Sequence, residues 1–191
     1  MRRAKIDLYA VAAAFAEGGP GAVSADDLAA AAGVAKPTLY ARHRSKDELY
    51  LACLEAECER LLERLWSAYG ASTGRPLEER LASPVRGMLE YAHDAPAGLR
   101  LLFGSGRPTS VAPRGRAAAV LERIHDHVAE QLRRELTEAG RDPAVSSLLA
   151  HALLGLAVGV AGDGVARSVD ERAALAQRMG RMLAHGLRAA L

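Results

Sequence analysis

Aromatic side chains are scarce: Phe, Trp and Tyr make up 4% of a chain that is 50% hydrophobic. A core built from this sequence must be assembled from Ala, Leu and Val, a mix that favours closely packed helices over sheets. Strand-like alternation is missing, and so is any internal repeat. Cysteine is nearly absent. Cys53 and Cys58 lie five apart on one expected helix, a spacing that serves neither a disulfide nor a C-x-x-C metal or redox site, and a reduced cytoplasm fits it. Excess charge of one sign is lacking too: 25 basic residues face 23 acidic ones, so no global field announces nucleic acid. No charged n-region followed by an apolar stretch opens the chain. The longest apolar run, Leu148 to Gly162, is interrupted by His151 and falls short of the roughly 20 residues a bilayer needs. These absences together predict a soluble, cytoplasmic, all-α protein with no membrane partner.

What is present is punctuation, concentrated between Ser24 and Leu49. Ser24 followed by Asp27 predicts an N-cap, and Leu28, Ala29 and Ala32 mark the apolar face of a short helix. Gly33 stands just past that face, where a helix ends in a left-handed residue, and Val34 tacks the turn to the core. Pro37 suits the first turn of a second short helix, Lys36 to Arg42. Ser45-Lys46-Asp47-Glu48 is an S-x-x-E capping box that opens a third. Short helix, Gly turn, short helix is the helix-turn-helix arrangement, whose second helix enters the major groove of DNA. Residues 1–50 carry seven basic and six acidic side chains, but from Lys36 to Lys46 four bases occur before the first acid.

Around this segment the chain reads as helices throughout. Lys5 to Glu17 is a bracing helix stopped by Gly18-Gly19-Pro20-Gly21. The helix from Ser45 runs unbroken to about Tyr69, a strut of about 35 Å. Further helices are expected at Leu77–His93, Pro96–Phe103, Arg116–Ala139, Ala144–Ala161 after an Asp142-Pro143 start, and from Glu171 onward behind Asp170 as cap. The stretch GSGRPTSVAPRG between the second and third of these looks disordered. The predicted division is a DNA-binding domain at 1–50 and a helical body at 51–191. The last two helices expose more apolar surface than one body covers: the first is apolar nearly all round, with Leu148, Gly155 and Gly159, and the second carries Leu175, Met179, Met182, Leu183 and Leu187 on one stripe. Covering both predicts a symmetric dimer through a four-helix bundle.

Trp66, Tyr69, Met88, Tyr91, Leu102, Phe103, His125 and His151 come from the several body helices and are the candidates for a pocket taking a mostly apolar small molecule; a plain core is the alternative reading. His125 and His127 lie two apart on a helix and face different ways, and the glycines of 155–164 match no phosphate-binding motif. No metal, cofactor or catalytic residue is predicted. A helical enzyme or ligand carrier with a purely structural N-terminal trio is the rival reading, and it needs a nucleophile, base and orienter in one cleft that the sequence does not offer. A DNA binder with an empty body is a second.

The segment from residue 8 to 50 resembles the tetracycline-repressor (TetR) family of bacterial transcriptional regulators. The residues that carry the likeness are Phe15-Ala16-Glu17, Ser24, Leu28-Ala29, Ala32-Gly33-Val34, Lys36, Thr38-Leu39-Tyr40 and Ser45-Lys46. Beyond residue 50 only the helix pattern resembles that family. The resemblance implies a homodimeric repressor on a palindromic operator, released by an effector bound in the body. By position it places Lys36, Pro37, Thr38, Ala41 and Arg42 toward base edges or adjacent phosphates, Tyr40 and Lys46 on phosphates, and Ser24 at a helix N-terminus facing a phosphate. The chain departs from the family at Ala35 (usually a Ser cap), Ala41 (usually Tyr or His), Asp26 (often a base) and His43-Arg44 (usually Phe-Pro).

Overall fold

The computed structural model describes residues 6–17, 19–104 and 111–190, without the side chains of 111–117, 163, 164, 187, 189 and 190. Among the described residues there are nine α-helices and no strand: α1 Leu8–Phe15, α2 Ala25–Ala31, α3 Lys36–Arg42, α4 Lys46–Gly70, α5 Leu77–Asp94, α6 Pro96–Phe103, α7 Val111–Glu138, α8 Ser146–Gly164 and α9 Val169–Ala190. A single 3-10 turn, Pro143–Val145, precedes α8. The chain forms two compact units, one of residues 1–59 with 97–122 and one of 60–96 with 123–191. Helices α4 and α7 contribute to both.

Several of the helices have a local reason for where they begin. Asp7 caps α1 by accepting from the amides of Tyr9 and Ala10, both at 3.1 Å. Lys5, proposed as part of this helix, lies outside the described residues, as do Gly18 and residues 105–110. The stretch expected to be disordered is helical from Val111, well before the expected Arg116. Pro113 does not prevent this, because the first four amides of a helix have no intrahelical acceptor and its missing N–H costs nothing. At α9 the cap is Ser168, not Asp170. The Ser168 amide donates to Glu171 (2.8 Å) while the Glu171 amide donates to Ser168 Oγ (3.3 Å), a reciprocal S-x-x-E box. α5 passes through Pro84 without stopping.

In the first unit, Phe15 of α1 meets Tyr50 of α4 edge to face at 5.4 Å, and both are buried. Leu28, Leu39 and Leu49 complete that core. Cys53 and Cys58 are buried and free; burial, reinforced by the Glu57 carboxylate, pushes the Cys53 thiol up and away from the reactive thiolate. The second unit is organised by α5, whose Leu81, Val85 and Leu89 pack with Leu132 of α7, Leu153 of α8 and Met179 of α9. Gly180 lets α9 lie against α5: a Cβ there would sit 2.7 Å from the Ala82 side chain and 2.8 Å from its backbone nitrogen. Gly155, Gly159 and Gly162 of α8 make no such approach within the chain; each has nothing within 4 Å of where a Cβ would stand.

α8 is also longer than its apolar run suggests. Counted from the 3-10 turn, Pro143–Gly162 spans 20 residues and is long and apolar enough, by length and composition, to cross a membrane, with only 28% of its most apolar window buried. The expectation of a segment too short to span is corrected here, because Ala144, Val145 and two serines extend the helix ahead of Leu148 without adding charge.

Candidate nucleic-acid interface and body cavity

The reader is built by local bonds. Ser24 Oγ accepts from the Asp27 amide at 3.1 Å and donates to Asp27 Oδ2 at 2.6 Å, closing the N-terminus of α2. Gly33 adopts φ +67°, the Val34 amide reaches Ala29 O (3.2 Å) and the Gly33 amide Ala30 O (3.1 Å). This is the Schellman ending that only a residue tolerating positive φ supports cheaply, and it turns the chain into α3. Ala35 is the N-cap of α3 and offers no side-chain bond, so the departure from the usual Ser leaves the first amides of this helix without a side-chain cap. Ser45 Oγ accepts from the Glu48 amide at 3.1 Å at the start of α4.

On this frame only Leu39 of α3 is buried. Lys36, Pro37, Thr38, Ala41 and Arg42 are exposed, and Tyr40 and Lys46 are half-buried. The two lysines of the segment differ in their partners. Lys36 Nζ is paired with Asp26 at 3.0 Å, both side chains lying in solvent, while Lys46 Nζ donates to Val23 O at 3.0 Å, directly ahead of the α2 cap. The Asp26–Lys36 pair was not foreseen from sequence; it joins positions ten apart across the Gly turn, a distance that helix periodicity does not report. His43, at the end of α3, is held below its ordinary pKa by partial burial and then by Arg42.

The second unit contains a cavity between α4, α5, α7 and α8, with about 50 Å³ of open space. Leu65, Leu81, Pro84, Val85, Met88, Leu132 and Leu153 give it apolar walls. Of the eight pocket candidates, Tyr69 and Met88 line it. Tyr91 and Leu102 are buried core residues, and Phe103 is half-buried on α6 in the other unit. Trp66 is 53% exposed and stacks on His127 at 4.9 Å in a shallow surface groove. His125 and His151 meet each other with tilted rings, centroids 3.9 Å apart, both lie against Ser147 O, at 3.2 and 2.9 Å, and neither lines the cavity. No cluster able to hold a metal exists among the described residues.

Of the polar groups of the cavity, sequence reasoning named Tyr69 for the pocket and missed Arg80, Gln131 and Glu135. Arg80 Nε donates to Glu135 Oε1 at 2.9 Å, its Nη2 bonds both Glu135 and Glu138, and the Tyr69 hydroxyl donates to Glu135 as well. Burial and the bond to Glu135 push Tyr69 up to about 12, so it remains a donor. Glu135 and Gln131 are 7% and 8% exposed. His127, Gln131 and Glu135 follow one another at four-residue spacing along α7, a polar stripe inside an apolar site, and that spacing was the available signal. Burial, and then Arg134, hold His127 below the usual histidine range.

The proposed dimer residues fall in two groups. Leu148, Gly155, Gly159 and Met182 are exposed, with Leu148 at 71% and Met182 at 53%. Leu175 and Leu183 are half-buried, Met179 is 6% exposed within the unit's own core, and the Leu187 side chain lies outside the described residues.

Comparison with known proteins agrees with this layout. Residues 8–53 match the family model described as bacterial regulatory proteins, tetR family. The chain is 30% identical over 163 residues to the HTH-type transcriptional activator FasR of Mycolicibacterium smegmatis, covering 85% of this chain and 67% of that protein. It superposes on a TetR-like transcriptional regulator from Rhodococcus sp. RHA1 with a TM-score of 0.67 at 28% identity, covering 93% of both chains. It also superposes on FadR from Bacillus subtilis, solved in complex with stearoyl-CoA, with a TM-score of 0.73 at 15% identity, covering 92% of this chain and 95% of that one. A capped helix-turn-helix with one exposed helix, followed by a helical body and matched to such relatives, is a DNA-binding transcriptional regulator and not an enzyme: the chain belongs to the TetR family.

Proposed function

We propose that the protein acts as a homodimer on a two-fold symmetric operator and that a small, mostly apolar effector in the α5/α7/α8 cavity changes its affinity for that DNA, in the cytoplasm and without a membrane or cofactor. Residues 1–50 are the DNA-binding part and 51–191 the effector-binding and dimerisation part. The observation that carries the effector reading is the cavity itself: apolar walls enclosing a few convergent polar groups, the usual form of a small-molecule site. The structural likeness to Bacillus subtilis FadR with stearoyl-CoA makes fatty acyl thioesters the first probes. About 50 Å³ is well under the about 150 Å³ that accommodates benzene, so a ligand of useful size must widen the cavity. It therefore prefers a different conformation, and it can shift DNA affinity only by that preference.

The dimer reading rests on the exposed apolar face of α8 and α9. Leu148, Leu156 and Met182 are open to solvent beside Gly155 and Gly159, which leave room for a second backbone. With two readers about 34 Å apart, the operator spans successive major grooves. Lys36, Pro37, Thr38, Ala41 and Arg42 present to base edges, Tyr40, Lys46 and Ser24 to phosphates. Repression by occluding the promoter, relieved by the effector, is the reading; activation is the second, favoured by the name of the FasR relative. Footprinting of the full-length protein on DNA flanking its own gene, followed by transcription in vitro with and without stearoyl-CoA, tests both. A symmetric footprint that recedes with the ligand while transcription rises supports repression; loss of transcription with the footprint supports activation; no footprint overturns the proposal.

A further inference from the structure

The cavity wall contains a buried amide whose chemistry is unspent. Gln131 lies on α7 with 8% of its surface exposed, and neither Oε1 nor Nε2 has a hydrogen-bond partner among the described residues. A buried amide left in this state is costly, about 1–3 kcal/mol per unsatisfied group, and a neutral apolar residue of the same size avoids that cost. The neighbouring polar groups do not need a ligand: Arg80, Glu135 and Tyr69 bond one another, and Glu138 takes the remaining reach of Arg80. The basic and acidic charges in this wall are matched. The cavity therefore has an unsatisfied acceptor and an unsatisfied donor side by side, and no unmatched cation.

We infer that Gln131 is the recognition group of the effector, and that the effector presents to it an uncharged acceptor and donor side by side, as an amide does, on an apolar chain. This rests on the reading of the cavity as the effector site. A free carboxylate offers two acceptors and no donor, leaves Gln131 Oε1 unpaired, and brings a negative charge toward the buried Glu135. An ester offers the acceptor only. Discrimination follows from what each leaves unpaired in a buried site.

The test is calorimetric titration of the full-length protein with three ligands of one chain length: decanamide, methyl decanoate and decanoate. The expected order of affinity is amide, ester, acid, with about a tenfold interval between amide and acid. Gln131→Leu is expected to bind amide and ester alike, and to melt higher than wild type without ligand, because it replaces unsatisfied polar atoms by an apolar side chain of similar volume. Gln131→Met serves as the second variant with the same expectation. Decanoate binding as tightly as decanamide, or a Leu variant that keeps the preference for amide, overturns the role of Gln131 while leaving the cavity as the effector site. Failure of all three ligands to bind wild type overturns the effector site and the inference together.

Discussion

The two units satisfy their polar groups in opposite ways. In the helix-turn-helix, the caps and turn that shape α2, α3 and the start of α4 are short in sequence, Ser24 to Asp27, Gly33 to Ala30 and Ser45 to Glu48, while the lysine contacts, Lys36 to Asp26 and Lys46 to Val23, reach further. Most of the side chains proposed to meet DNA are left in solvent, Tyr40 and Lys46 being half-buried, so replacing the exposed ones is expected to disturb little of the fold. In the body, Tyr69, Arg80 and Glu135 come from three helices and meet in a buried cluster, and Gln131 remains beside them unpaired. The helix-turn-helix thus rests on a locally determined frame, while the proposed effector site is part of the core, so variants of the cavity are expected to disturb stability and function together.

That contrast orders the expected effects. Gly180→Ala is the largest: its Cβ meets the α5 backbone, and separating α9 from α5 is expected to cost about 3 kcal/mol in chemical denaturation. Gly155→Ala, with open space around it inside α8, is expected to stabilise the single chain by roughly 0.5–1 kcal/mol in denaturation through helix propensity, and to weaken self-association in light scattering. Glu135→Ala removes the acceptor shared by Arg80 and Tyr69; a loss of about 2 kcal/mol is expected, tempered because Arg80 retains Glu138. On the reader, Arg42→Ala is expected to leave the melting temperature in place and cost about 1.5 kcal/mol in operator binding, with specificity relaxed. Equal losses on operator and random DNA would reject its contact with bases. Asp26→Asn releases Lys36 from its partner and is expected to tighten binding to all DNA by under about 1 kcal/mol, with a steeper salt dependence in anisotropy titrations.

The smallest effect is a pH dependence. His127 is held below its ordinary pKa by burial, so the unfolded chain takes up its proton first as pH falls. Stability is expected to decline from about pH 7 to pH 5, and His127→Gln is expected to flatten part of that decline in thermal melts at stepped pH.

Legibility in the sequence followed the same divide. Caps, the Gly33 turn and the extent of α6 could be read because each depends on residues a few positions apart; Pro96–Phe103 was placed to the residue. The Ser168 box was equally local and was overlooked beside Asp170. The cavity was largely illegible. Aromatic and histidine residues were chosen for their type, yet Trp66 lies at the surface and Tyr91 in the core, because a residue's type does not say which side of a helix meets a cavity. The i, i+4, i+8 stripe of His127, Gln131 and Glu135 carried that information, and apolar periodicity on the same helix masked it.

On the function proposed above, occupancy of this cavity sets the affinity of the helix-turn-helix for DNA. Its most direct test is the operator affinity of the full-length protein at one fixed salt concentration, measured by anisotropy with and without saturating stearoyl-CoA, alongside a cavity-filling variant, Val85→Trp. The account predicts at least a fivefold change of affinity for wild type, the usual floor of coupled binding, and none for the variant. Identical operator affinity in all four titrations, with the ligand bound to wild type, would contradict it.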